Sequence, residues 1–380
     1  MEKIYLDNAA TTPILDEVID AMVAVMKTNY GNPSSTHSLG QEAKTILEEN
    51  RRLIANELHV SPAEIIFTSC GTESNNLIIK SAVENLGVER IITTEIEHKC
   101  VYEAVLEVKN RNGVEVVYLK LNEKGDVNLD ELEALLKSSD KVTLVTLMHA
   151  NNEIGNILDL EKTAKICKEN NAYLHSDTVQ TMAHVKLDFS QIPVDFASCS
   201  AHKFHGPKGA GFAFIRKTTH LRAQIHGGTQ ERSLRAGTEN VVGIAGLGKA
   251  FAISVDHMEQ FSAQIQEVKD YAIAQLIEKI PGILFNGRCT EKERSLYTLL
   301  SLSLPSMNPL IGLQLDIKGI AVSQGSACSS GAAKPSSVLS KILTEDVQQS
   351  TTPLRVSFSH QTTKKDIDAL VEALVEILGL

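Results

Sequence analysis

An α/β fold built on a mostly parallel mixed sheet flanked by helices, followed by a smaller α+β part, is what this sequence predicts on three observations. β-Branched runs alternate with helix-length segments from about Glu64 to Lys217. Two long helical patterns then meet near residue 258, beyond which the elements become short and mixed. With 380 residues, 43% of them hydrophobic, the chain is long enough for two or three domains around a large core.

Taken in order, strands are predicted at 65–68, 91–94, 114–121, 142–148, 173–176 and 196–199, with helices between them at 75–85, 101–110 and 160–170. Helices are then expected at 238–257 and 258–279, short strands at 299–304 and 355–357, and a final amphipathic helix from Lys364. The large domain is accordingly 15–257, and residues 1–14 with 258–380 form the small one. Within the small domain, 323–337 is made almost wholly of Gly, Ala, Ser and Pro, a composition suited to mobility, and it contains Cys328.

The charge balance is 47 acidic against 37 basic residues, a net −10, with no block of like charge, which argues against nucleic acid as a direct ligand. The opening residues lack the basic start and apolar stretch of a signal peptide, and no run is long enough to cross a bilayer, so a cytoplasmic protein is expected. Six scattered cysteines, with no Cys-x-x-Cys pair and no His cluster at zinc spacing, indicate reduced thiols and no metal site.

Parallel sheets bind ligands at the C-terminal ends of their strands. There, Ser69-Cys70-Gly71-Thr72-Glu73-Ser74-Asn75 follows a strand and opens a helix, so that backbone amides and the Thr72 hydroxyl converge either on an anion such as phosphate or merely on a helix cap. Further strand ends carry His98, Asn152, Asp177 and Gln180. Asp177 could keep a pyridine nitrogen protonated, the flat imidazole of His98 could stack on such a ring, and Asn152 and Gln180 could bond its hydroxyl. Each, taken singly, also reads as a turn former or solvated polar residue. Lys203 lies in Ser200-Ala201-His202-Lys203-Phe204-His205-Gly206, where a strand enters a Gly-rich turn. A lysine desolvated there can form an imine with a carbonyl cofactor, although a surface lysine beside a turn fits the same pattern.

Several runs, in order over nearly the whole chain, resemble the NifS/IscS-type cysteine desulfurases of the class-V aminotransferase family. They are Tyr5-Leu6-Asp7-Asn8-Ala9-Ala10-Thr11-Thr12-Pro13, Tyr30-Gly31-Asn32-Pro33-Ser34-Ser35, Gly71-Thr72-Glu73-Ser74, Asn151-Asn152-Glu153-Ile154-Gly155, Ser200-Ala201-His202-Lys203, Arg235-Ala236-Gly237-Thr238 and Gly325-Ser326-Ala327-Cys328. The resemblance implies a fold-type I pyridoxal-phosphate (PLP) enzyme, homodimeric with shared sites, that converts L-cysteine to L-alanine. The residue matching Lys203 would hold PLP covalently. Those matching Gly71, Thr72, His98, Asn152, Asp177, Gln180, Ser200 and His202 would bind it, with Thr238 reaching the phosphate of the partner subunit. Arg355, with Asn152, would receive the substrate carboxylate, and Cys328 would take the sulfur as a persulfide for an acceptor protein serving iron–sulfur assembly or tRNA thiolation. His98 is the candidate for handling thiol protons. A selenocysteine lyase or an aminotransferase is the alternative on the same scaffold. The chain departs from the family pattern at Ser359, where a glycine is expected, and in the second half of the Cys328 segment.

Overall fold

The computed structural model describes residues 3–324 and 336–380. In chain order the strands are β1 (Ile4–Tyr5), β2 (Ile65–Thr68), β3 (Arg90–Thr93), β4 (Glu115–Tyr118), β5 (Thr143–Thr146), β6 (Tyr173–Asp177), β7 (Phe196–Ser200), β8 (Gly211–Ile215), β9 (Leu284–Phe285), β10 (Leu299–Leu304), β11 (Ile320–Ala321) and β12 (Thr352–Ser357). The helices used below are α1 (Asp16–Thr28), α2 (Ser38–Glu57), α3 (Gly71–Asn85), α4 (Lys99–Asn112), α5 (Leu129–Lys137), α6 (Leu160–Glu169), α7 (Val241–Asp256) and α8 (Met258–Lys279).

Seven strands form the main sheet in the order β2-β8-β7-β6-β5-β3-β4. The run from β7 to β4 is parallel, whereas β8 lies antiparallel to both β2 and β7. Both faces are covered, so the strands read as continuous apolar runs whose side chains alternate between two cores. Ile65 and Phe67 face the core shared with α1, α2, α5, α6 and α7, while Ile66 between them faces the core shared with α3 and α4. The strand β8 was not among those predicted. It follows the Gly206–Gly209 turn directly, and its first residue must be glycine because a Cβ at Gly211 would lie 2.4 Å from the Cys199 carbonyl oxygen and 3.0 Å from Cys70 Cα.

A second core gathers Leu6 with α8 (Ile265, Val268, Ala272, Leu276), the antiparallel β9-β10-β12 sheet and the C-terminal helix Lys364–Leu378. That helix starts with the capping box of Thr363 and Asp366, each side chain bonded to the other's backbone N–H. The parallel pairing of β1 with β11 holds the first residues of the chain to this part of the molecule. Between the two cores α7 and α8 bend by 73°, and among the described residues no single helix is long and apolar enough to cross a membrane.

Lys269 on α8 is 1% exposed, with its ammonium on Ser295 Oγ (3.1 Å) and the Leu296 carbonyl (2.6 Å). Burial drives its pKa down to about 8. The unfolded chain then binds more protons than the folded one between pH 8 and the ordinary lysine range, so this group's contribution to stability rises with pH across that window. The melting temperature of the wild type relative to Lys269→Met is expected to climb between pH 7.5 and 9.5. Parallel profiles for the two proteins would show that the ammonium is not strained by burial.

Candidate active site

The parallel strands β6 and β7 end on Asp177 and Ser200, one residue later than their apolar runs suggest, and so carry both polar side chains to the same edge of the sheet. Asp177 is 5% exposed. Its two oxygens accept from Asn75 Nδ2 (2.8 Å) and from the Val179 amide (3.0 Å). Both are neutral amide donors, and a cationic group at this carboxylate would add a charge-assisted bond.

Val179 then leads to the helix cradle. α3 begins at Gly71, four residues before the predicted start, and its N-cap residue Cys70 offers no side-chain cap. The first-turn amides therefore lack intrahelical partners and point at the strand edge. A Cβ on Gly71 would sit 2.5 Å from Val179 Cγ2 and 4.0 Å from Ser200 Cβ, so only glycine lets the helix start approach this closely. Thr72 is exposed on the first turn. Of the two readings of this segment, an ordinary side-chain cap does not describe it. Glu73 supports the turn from behind, accepting from the Ser69 amide (2.9 Å) and from Arg235 (2.8 Å), and these donors hold its pKa below the usual carboxylate range despite burial.

Lys203 follows β7 in a short 3₁₀ turn, and its Nζ donates to the carbonyls of Ala9 (2.6 Å) and Ala10 (2.9 Å). Gln180 Nε2 donates to the same Ala9 carbonyl (3.1 Å), which brings the two residues together. Neighbouring His202 has its Nδ1 3.1 Å from Thr11 Oγ1, and burial first, then Lys203 and Lys208, push its pKa down to about 4. It is neutral at pH 7.

Arg355 on β12 is buried beside this group. Its guanidinium donates to the Asn152 carbonyl (2.8 Å), to Asp7 Oδ1 (2.9 Å) and to Ser323 Oγ (3.1 Å), with Nε buried and without a partner among the described residues. An incoming carboxylate would thus meet a guanidinium already oriented on three sides. Ser359, the residue standing where glycine is expected, has no positive φ, and its amide donates to Thr362 Oγ1 (3.0 Å), so a side chain there imposes no backbone strain behind the arginine.

His98 caps α4, its Nδ1 accepting from the Cys100 amide at 3.2 Å and lying 2.9 Å from Cys100 Sγ. The Asn75 amide bridges Cys100 Sγ (3.2 Å) and Asp177, which ties His98 to the carboxylate. Beside it Glu97 is buried: burial, opposed by bonds from Thr94 and the Met148 backbone and reinforced by Asp177, raises its pKa to about 8. His98, Cys100 and Asp177 bring a nitrogen, a sulfur and a carboxylate within 4.8 Å, a donor set that the sequence spacing did not reveal. The Asn75 amide already donates to two of the three. His149 and His175, buried behind the site, are both held neutral with pKa values near about 4.

Not every expected residue joins this group. Thr238 is exposed, in a separate recess with Ser69, Arg235 and Asn240. Cys328 and most of 323–337 lie outside the described residues. Both ends of that segment are fixed at the site, however: Ser323 Oγ donates to Asp7 Oδ1 (2.8 Å), and Ser336 Oγ bonds Glu153. Cys167 and Cys199 are buried, as their strand and helix positions suggest. Sequence reasoning gave no role to Asn75, whose bonds to Cys100 and Asp177 form only where α3, α4 and β6 meet.

These groups fit a flat cofactor bearing a phosphate, a basic ring nitrogen and an aldehyde: an uncapped helix start, a buried carboxylate, an amine and a neutral imidazole. The aminotransferase class-V family model matches residues 4–370. The chain is 40% identical over 379 residues to the cysteine desulfurase IscS of Dictyoglomus turgidum, covering 99% of this chain and 94% of that protein. Among solved structures, a NifS-like protein superposes with a TM-score of 0.90 at 36% identity over the whole of both chains. SspA, solved in complex with cysteine, superposes with a TM-score of 0.80 at 30% identity over 95% of this chain and all of that one.

Proposed function

Starting from the fact that this chain belongs to the class-V aminotransferase family and is a PLP-dependent cysteine desulfurase of the NifS/IscS type, we propose how its own residues divide the work. PLP, when bound, supplies the electron sink that lets the Cα–H and Cβ–S bonds of cysteine break. Asp177 would hold its ring nitrogen, and the start of α3, with Gly71, Thr72 and Ser200, would hold its phosphate. His98, Asn152, Gln180 and His202 would hold the ring. Lys203 would anchor the cofactor, and its amine is the group to move the Cα proton of the substrate.

Arg355, with Asn152, orients L-cysteine by its carboxylate, which exchanges with the Asp7 contact. Cys328 takes the sulfur as a persulfide, leaving alanine. The observation that carries this role is the fixing of both chain ends at the site: Cys328 is five residues from Ser323, which bonds Asp7 and Arg355, and five residues span at most about 17 Å. Only a thiolate is nucleophilic enough for the step.

The large domain is proposed as 15–257, with 1–14 and 258–380 as the small one, in line with the two separate cores. A homodimer is proposed on the apolar residues α1 leaves exposed, Ile19, Val23 and Met26, with Tyr30 just beyond it, and Thr238 would serve the partner's phosphate. The persulfide is destined for an acceptor protein of iron–sulfur assembly or tRNA thiolation in the cytoplasm, with no direct nucleic-acid contact.

The test is to incubate the PLP-loaded protein with L-cysteine and a thiol reductant and to follow alanine and sulfide together. Equal yields are expected. Pyruvate or an amino-group transfer product in place of alanine would remove the desulfurase reading.

A further inference from the structure

We propose that Cys100 is a positioning residue for His98: its thiol fixes the His98 ring in the tautomer protonated on Nε2 and ties that ring through Asn75 to Asp177. The inference rests on the reading of His98 as the imidazole at the cofactor. The Cys100 backbone N–H lies 3.2 Å from His98 Nδ1 and can only donate, so Nδ1 presents its lone pair and carries no proton. The Cys100 sulfur is 2.9 Å from the same nitrogen, and with that nitrogen unprotonated the S–H must be the donor.

The other side of the sulfur faces Asn75 Nδ2 at 3.2 Å. That amide cannot turn over: Nδ2 also donates to Asp177 at 2.8 Å, while Oδ1 meets His175 Nε2 at 3.1 Å, so a flip would set oxygen against the carboxylate. The thiol is thereby oriented from both ends, accepting from Asn75 and donating to His98. Glycine or alanine at position 100 would still cap the helix through its backbone but would leave the ring with one donor and Asn75 with one acceptor fewer.

The consequence is that the reaction uses Nε2 of His98, and that the S–H donates only to a ring whose Nδ1 is unprotonated. Among the described residues, the titratable groups near it are Glu97 on its own loop, Cys100 on α4, and Asp177 with His175 behind it on β6. Loss of the thiol donor makes protonation of the ring easier.

The experiment compares Cys100→Ala, Cys100→Ser and His98→Gln with the wild type, all PLP-loaded to equal occupancy. The pH dependence of kcat/KM for alanine formation is measured, together with nitrogen NMR of ¹⁵N-histidine-labelled protein. The acid limb is expected to move up by about half to one pH unit in Cys100→Ala, to return close to wild type in Cys100→Ser, and to vanish in His98→Gln. The His98 signals, identified by their loss in His98→Gln, should report a proton on Nε2 in the wild type and exchange between tautomers in Cys100→Ala. If His98→Gln removes the limb while Cys100→Ala neither shifts it nor changes the tautomer signal, the role given to Cys100 is wrong. If the limb survives in His98→Gln, the reading of His98 itself fails and the inference falls with it.

Discussion

Lys203→Ala is expected to lower alanine formation from L-cysteine by at least about three orders of magnitude while leaving the fold intact. One side chain is asked for two tasks, covalent attachment of the cofactor and movement of the Cα proton, and among the described residues no other amine joins the Asp177 and Gln180 group. Lys208, five residues on, is exposed beyond the Gly206–Pro207 turn. The stability cost should be modest, because the Nζ bonds to the carbonyls of Ala9 and Ala10 are made in a partly open site. The visible absorption band of the wild type should be lost or changed, PLP should be removable by gel filtration, and the melting temperature without added PLP should stay within a few degrees of wild type. Retention of turnover would move the attachment point elsewhere.

Cys328→Ser is expected to leave that absorption band in place and to reduce alanine formation by about two orders of magnitude, since a hydroxyl cannot accept sulfur. The variant separates cofactor chemistry from sulfur removal. Mass spectrometry after a single turnover should find the added sulfur on Cys328 of the wild type and nowhere in the variant. Undiminished alanine production by the variant would shift the assignment to the selenocysteine lyase or aminotransferase alternative, which has no need of this thiol.

The strands of the main sheet other than β8 were legible because a sheet covered on both faces demands continuous apolar runs, and 65–68 coincides with the strand that forms. Their ends were less so: Asp177 and Ser200 belong to β6 and β7, yet a polar last residue gives no apolar signal. The start of α3 was placed late for the same reason, since Gly-Thr-Glu-Ser shows no apolar periodicity. Asp177 and Lys203 could be picked out as polar residues at strand ends, where parallel sheets bind ligands. Asn75 could not. Its contacts depend on α3, α4 and β6 meeting at one point, 102 residues separating Asn75 from Asp177. The Arg355–Asp7 pair, 348 residues apart, joins the two ends of the chain, and nothing in local sequence announces it.

That same joining has a kinetic meaning. Ser323 and Ser336 are held beside Asp7, Arg355 and Glu153, so if Cys328 takes the sulfur as proposed, its tether would set an effective concentration of order millimolar at the site, whatever the amount of protein in solution. On that proposal sulfur pick-up would be first order in enzyme–substrate complex, and only a later transfer to an acceptor protein would be a bimolecular encounter. Dilution is then expected to separate the two halves of the reaction, slowing delivery while leaving the protein's own loading with sulfur unchanged.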